Sequence, residues 1–281
     1  MYARLLGFII VASWVAATGW LVKHDLLPIW TASPAPSPLR ADWLAEGRTV
    51  ELQCGVFRDN GRIGTMWTIY RYRPQVIERE DLILLEDLVP QLPSLRVEGG
   101  ATFTPEGALD SLKVELRVSN HGFPITLSGE RFPQDFAFTL DAGLGGIKPF
   151  KVPVGEADMI AEAFNPFTTL PKLSVGQSWR MQVINPLAAL LNLSEKFRPV
   201  VVRVTGREKR ATNFGTRDCF VVEAEGVTAW VDDEGVVQVQ EVRLPVGSTI
   251  RLLRERYDET LHRIASDSRR LWELPDGEGR R

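Results

Sequence analysis

Histidine and cysteine are scarce in this chain, three and two in 281 residues. His24 precedes a proline-rich stretch, His121 lies in a turn before Gly122, and His262 lies in a charged tail, far apart in sequence. A hydrolytic triad or a zinc site needs such side chains to converge, and their spacing offers no convergence. Cys54 and Cys219 fall in the strand-like segments VELQCGVF and RDCFVVEAEG, which leaves two readings open. One is a disulfide closing a long loop outside the cytosol; the other is a pair of buried thiols acting as small hydrophobes. A basic excess is also missing, with 33 Lys and Arg against 36 Asp and Glu. Nothing therefore points to nucleic acid as a partner, because phosphate neutralisation requires a clustered basic face.

Motifs that would carry chemistry fail on inspection. Gly143-Leu144-Gly145-Gly146-Ile147-Lys148 resembles a phosphate loop, but Pro149 stands where Ser or Thr is required and KVPV after it is extended. Asp232, Asp233 and Glu234 are too closely spaced for a calcium loop and read as the acidic turn of a hairpin ending in Gly235. Ser128 and Ser174 lack the glycine two residues earlier that a nucleophile elbow carries. No cofactor or metal is expected.

Long apolar runs are confined to the N-terminus. Leu5 to Val22 carries no charge, and about 18 residues at roughly 1.5 Å each just cover a hydrocarbon core. Leu5, Phe8, Ile9, Ile10, Val11, Trp14, Trp20 and Leu21 form this expected single-pass anchor, residues 1–23, through which membrane lipid is a partner. Arg4 and Lys23 flank it where cations can snorkel, although Trp14 lies mid-span. The alternative is a cleaved secretory signal with Val15-Ala16-Ala17 as the small-residue site, but hydrophobicity continues past Ala17. The flanking charges favour the N-terminus inside and a periplasmic, extracytoplasmic domain. Pro28, Pro34, Pro36 and Pro38 then make residues 24–44 an extended stalk.

Beyond it the period becomes two. Leu112, Val114, Leu116 and Val118 alternate with Ser111, Lys113, Glu115 and Arg117, as on a half-buried strand. Turn chemistry recurs at short intervals, most clearly at Asn60-Gly61, which predicts a type I′ hairpin. In VVQVQEVRL the apolar phase shifts, which predicts a bulge near Gln240. The reading is ten or more strands over residues 45–258 as one β-rich half-barrel domain, with a charged, partly helical tail over 259–281. Gly155 to Phe164, rich in helix formers, predicts one internal helix. Leu187, Leu190, Leu191 and Leu193 form a short apolar run, either a core turn or a lid that touches lipid, ligand or partner. Arg254 to Trp272 shows roughly helical spacing of Tyr257, Leu261, Ile264 and Leu271.

The segments FRDNGRIGTMWTIY, LSVGQSWRMQVINP, FGTRDCFVVEAEG and AWVDDEGVVQVQEVRLP together resemble bacterial envelope domains found near transglutaminase-like proteins. Those domains are similar to the half-open barrels of lipoprotein carriers. The resemblance implies a large curved antiparallel sheet wrapping the Gly155–Phe164 helix, and it carries over no catalytic residue. Three function classes follow: a non-enzymatic membrane-tethered binding module for a hydrophobic ligand or partner, a structural accessory subunit of a membrane protein complex, and an envelope hydrolase whose motif is not visible.

Overall fold

A computed structural model of the chain describes residues 13–14, 17–20, 47–89, 92–105, 107–119, 124–141, 143, 146–153, 159–162, 167, 169–170, 172–184, 197–243 and 249–267. Most of the expected anchor, all of the stalk and the Leu187–Leu193 run lie outside them. Residues 13–14 and 17–20 are helical, with Trp14 and Trp20 exposed. Among the described residues no helix is long and apolar enough to cross a membrane.

All the described strands form one sheet. In chain order its strands are β1 (Thr49–Arg58), β2 (Gly61–Arg73), β3 (Val76–Val89), β4 (Leu92–Phe103), β5 (Leu109–Val118), β6 (Ile125–Arg131), β7 (Asp135–Asp141), β8 (Ile147–Pro153), β9 (Met159–Glu162), β10 (Ser178–Ile184), β11 (Phe197–Thr212), β12 (Gly215–Ala224), β13 (Val227–Val231), β14 (Val237–Arg243) and β15 (Thr249–Glu255). Strands β1 to β8 form one antiparallel meander and β10 to β15 another, and β1 pairs with β15 to fuse them. Strands β8 and β9 are the two edges, so the sheet does not close into a barrel. It must nevertheless curl. Laid flat, fifteen strands at about 4.8 Å would put those edges roughly 67 Å apart, whereas the short link from Pro153 to Met159 reaches about 22 Å at most. Edge strand β8 carries Lys148, Pro149 and Lys151, residues that discourage pairing with another chain.

Alternation puts one set of side chains on an apolar face. Its larger cluster takes residues from β1 to β7 and β15, among them Val56, Tyr70, Ile77, Val97, Val114, Leu127 and Phe138, and every member lies on a strand. A smaller cluster holds Trp179, Met181, Val202, Val204, Val222 and Val231 with Phe167 and Leu170. Leu112, Val114 and Leu116 are buried, as the period-two pattern of β5 requires.

The opposite face of β2 to β4 is covered by helix α1 (Glu259–Asp267). Asp258 caps it, its Oδ1 accepting the Leu261 N–H at 3.0 Å. Gln53 Oε1 accepts both the Asp258 N–H at 3.0 Å and Trp67 Nε1–H at 2.9 Å, so one buried amide ties the helix entry to the sheet. At the other end the buried Arg96 guanidinium donates to the Ala265 carbonyl at 2.7 Å and pairs with Glu98 at 2.7 Å. A cation here also meets the negative end of the helix dipole. His262 packs beside Trp67, ring centroids 5.7 Å apart, with its Nδ1 2.9 Å from the Tyr257 hydroxyl.

Four expectations need correction. Met159–Glu162, at the centre of the expected internal helix, is a strand, pairing in parallel with β10 from Met159↔Met181 to Glu162↔Ile184. The open ladder edge of β10 supplies backbone partners at once, whereas a short helix must first overcome its nucleation cost. The hairpin turn is centred on Asp59 and Asn60, at φ 49° and 68°, with Gly61 already paired to Arg58. Asp and Asn tolerate the left-handed region well enough to free the glycine for the strand. The β14 bulge falls at Gln238, because Trp230 pairs with Val239 and Val231 with Val237. Finally, Arg254 and Glu255 complete β15, so helix begins only at Glu259.

Gly64 lies so close beneath β3 that a Cβ would press on the Leu84 carbonyl oxygen, whereas at Gly100 nothing stands within 4 Å. Gly64→Ala should therefore lower unfolding stability by about 2 kcal/mol and Gly100→Ala should leave it level or raise it by a few tenths, as read from urea denaturation. The pKa of His262 is held below its ordinary 6.5 by burial, helped by Arg71 and opposed by Glu51 and Glu80. A depressed histidine favours the neutral folded form. Its contribution is fully present above pH 6.5 and is lost as pH falls through the lowered folded value. Stability measured from pH 7.5 to pH 5 should decline, and His262→Gln should flatten that decline.

Candidate functional site

Four strands at the middle of the sheet break the apolar face at one level. On that face Cys54 interrupts Leu52 and Val56, Thr68 interrupts Met66 and Tyr70, Gln240 precedes Val242, and Arg254 follows Leu252. Pairing aligns them: Cys54 stands opposite Met66 on one side and Arg254 on the other, Leu52 opposite Thr68, and Gln240 opposite Leu252. The result is a polar seam where the two apolar clusters meet.

A void of about 20 Å³ sits in this seam, walled by Leu52, Met66 and Leu252 from one cluster, Phe167 and Val237 from the other, and Cys54, Thr68, Gln238, Gln240 and Arg254 between them. That volume is room for about one water. A second void of about 20 Å³ adjoins it, sharing Met66 and Leu252 and otherwise lined by Val56, Ile83, Leu85, Val242 and Ile250.

The polar groups of the seam are unevenly satisfied. Thr68 donates its hydroxyl to Asp81 Oδ1 at 2.5 Å, and Asp81 is ion-paired with Arg79 at 2.7 Å. Gln238 donates Nε2–H to Asp232 Oδ2 at 2.7 Å, but its Oε1 is buried without a partner among the described residues. Gln240, 1% exposed, has no partner at either side-chain polar atom among the described residues. Left unpaired, a buried group of this kind costs about 1–3 kcal/mol, so these amides gain no stability from partners among the described residues. Burial lowers the pKa of the Arg254 guanidinium, which is half-buried. Burial likewise pushes the Cys54 thiol up to about 12, which the nearby Arg254 only partly offsets. Cys219, buried on the opposite face beside Trp230 and Val239, is raised to about 11.

Both cysteines are free thiols, and the sheet lies between them, so the disulfide alternative is not formed. Held protonated, neither is a nucleophile. Among the described residues no group of three or more His, Cys, Asp and Glu is placed to hold a metal ion. What the seam can do is bind: it offers one cation and two amides between apolar walls.

A larger hollow, about 760 Å³, opens on the polar face of β3 to β7, where Glu78, Glu80, Thr102, Ser111, Lys113, Ser128, Glu130 and Thr139 line it with Gly100 and Ala137. It is open to solvent, and its charges are of mixed sign. The candidate lid residues Leu187, Leu190, Leu191 and Leu193 and most of the anchor cannot be placed against either feature, lying outside the described residues. Sequence reading missed the seam, although one signal was available: each member is a polar residue in the apolar phase of its strand.

No protein-family model matches the sequence, and no curated protein matches it. Among solved structures the chain is similar to the crystal structure of a β-barrel-like protein of a domain of unknown function, DUF1849, from Brucella abortus. The two share 8% identity and a TM-score of 0.46 over 74% of this chain and 97% of that one.

Replacing an unpartnered buried amide by an apolar side chain of similar volume removes a desolvation cost. Gln240→Leu should raise unfolding stability by about 1 kcal/mol in urea denaturation, and a loss of stability would show that the amide is structurally engaged.

Proposed function

We propose that this chain is a non-enzymatic, membrane-tethered extracytoplasmic binding module for a hydrophobic ligand or partner. The observation that carries the reading is the seam, where buried polar groups and two adjoining voids interrupt the apolar face of a curled, unclosed sheet. A protein selected for stability alone would fill that level with Leu and Val. Leu5–Val22 and the proline stalk support tethering, and the likeness to envelope domains near transglutaminase-like proteins and to lipoprotein carriers supports the compartment and the ligand class.

Native mass spectrometry of the full chain released from a mild detergent tests it. The expected spectrum shows the protein with a bound apolar small molecule that collisional activation strips off. A spectrum of bare protein, together with no uptake of added long-chain lipid, would sink the ligand reading.

One observation favours the accessory-subunit reading as a second: Leu261 and Ile264, neighbours one turn apart on α1, are 48% and 59% exposed. Photocrosslinkers at those two positions should capture a membrane protein in fixed ratio if that reading holds, and capture nothing reproducible if it does not.

A further inference from the structure

We propose that the open hollow on the polar face of β3 to β7 binds a neutral saccharide, with Gly100 keeping its floor clear and Phe132 supplying the platform for a sugar ring. The site lies on the face opposite the seam and does not rest on the binding-module reading above.

Gly100 is the first sign. It stands inside β4, where glycine costs about 0.5–1 kcal/mol relative to alanine. None of the local reasons for a strand glycine applies to it. Its φ is not positive, the irregularity between β4 and β5 falls at Thr102 and Phe103, and a Cβ would meet nothing within 4 Å. A glycine so placed marks a surface that another molecule approaches closely. The floor beyond it continues the pattern with Ser111, Ser128 and Ala137, at positions where strands favour larger β-branched and aromatic side chains. The hollow of about 760 Å³ that results falls within the roughly 300–1,000 Å³ of small-molecule sites. Five adjacent strands spaced by about 4.8 Å make it about 19 Å long, enough for an oligosaccharide of a few rings.

The lining selects an uncharged, hydroxyl-rich ligand. Glu78 and Glu80 pair with Arg73 at 3.1 Å and Arg71 at 2.5 Å, which cancels their charge and leaves carboxylate lone pairs to accept. Lys113 and Glu130 offset each other diagonally across β5 and β6, since Lys113 stands opposite Ser128 and Glu130 opposite Ser111. With no net charge in the lining, an ion finds nothing to offset its lost hydration. Thr102 Oγ1 and Ser111 Oγ share one hydrogen bond at 2.7 Å, so the pair keeps one donor hydrogen and several lone pairs for a ligand. Ser128 and Thr139, directly opposite each other, add two more hydroxyls. Donors and acceptors interspersed at strand spacing suit the successive hydroxyls of a sugar.

Phe132 supplies what the hydroxyls lack. Its N–H donates to the Asp135 carbonyl at 2.7 Å, closing the β6–β7 turn, and its side chain, 51% exposed, borders the hollow. The negative face of an aromatic ring attracts the polarised C–H groups on one side of a sugar ring. An extended peptide fits less well, because it would add to a free strand edge and each of β3 to β7 is already paired on both sides.

The test uses the full chain in lipid nanodiscs and isothermal titration with five probes: maltotriose, cellotriose, triacetylchitotriose, trigalacturonate and glycerol. At least one of the three neutral trisaccharides should bind saturably, at least ten-fold more tightly than trigalacturonate or glycerol. Gly100→Gln should weaken that binding at least ten-fold and Phe132→Ala several-fold, both with the unfolding temperature kept, since open space surrounds the first position and the second is exposed. Phe132→Tyr, which keeps the ring, should retain it. Unchanged affinity in Gly100→Gln and Phe132→Ala puts the sugar elsewhere and overturns the site. Trigalacturonate binding as tightly as the neutral sugars overturns the neutral ligand, and glycerol doing so overturns the ring platform. Binding of none of the three neutral trisaccharides overturns the inference and leaves the reading of the seam untouched.

Discussion

Residue pairs from Gln53↔Glu255 to Arg58↔Ile250 join the first strand to the last, and most of what is distinctive in this protein hangs on that ladder. Without it the chain is two separate meanders, each with an uncovered apolar face. With it, the two meanders share one sheet and their clusters meet along β1 and β15. The same pairing carries β15 past Gln53, so that the chain leaving the strand is received by the Gln53 amide at Asp258 and α1 is laid against Trp67. It is also the most expensive contact to form, since it closes a loop of about 200 residues before any reward accrues.

The junction of two clusters is where an apolar core is easiest to interrupt. Within either cluster, a buried amide would be surrounded by well-packed neighbours and would leave no room for water or ligand. At the junction, side chains from β1, β2, β14 and β15 meet those of Phe167 and Val237, and the match is imperfect enough to leave a void. The polar residues gather at this level and nowhere else along β5 to β7, whose apolar face runs through Leu112, Val114, Leu127, Phe136, Phe138 and Leu140 without a break. The Gln238 bulge belongs to the same region: it sets Val231 against Val237 and points the amide at Asp232.

Legibility from sequence followed the range of the interactions. The alternation in β5 was readable because burial of one face imposes it locally. The first hairpin was readable as a hairpin but misplaced by one residue, because Asp59 and Asn60 both accept positive φ and the register is settled by pairing, from Arg58↔Gly61 onward. Gly155–Phe164 misled for the converse reason. Its residues favour helix, and the free edge of β10, distant in sequence reading, drew Met159–Glu162 into a strand.

Composition and pattern by themselves determined that this is a mainly β chain after an apolar N-terminal run and a proline-rich segment, and that one face of its strands is apolar. Period, turn residues and hydrophobic runs act over a few residues, so a single sequence displays them. Only the tertiary structure decided that Cys54, Thr68, Gln240 and Arg254 stand at one level. They lie on four strands from both ends of the domain, and a polar residue in an apolar phase is unremarkable on its own strand. Registers between strands that are distant in sequence, which sum many weak pairings and the fit of facing side chains, turn four scattered exceptions into one site.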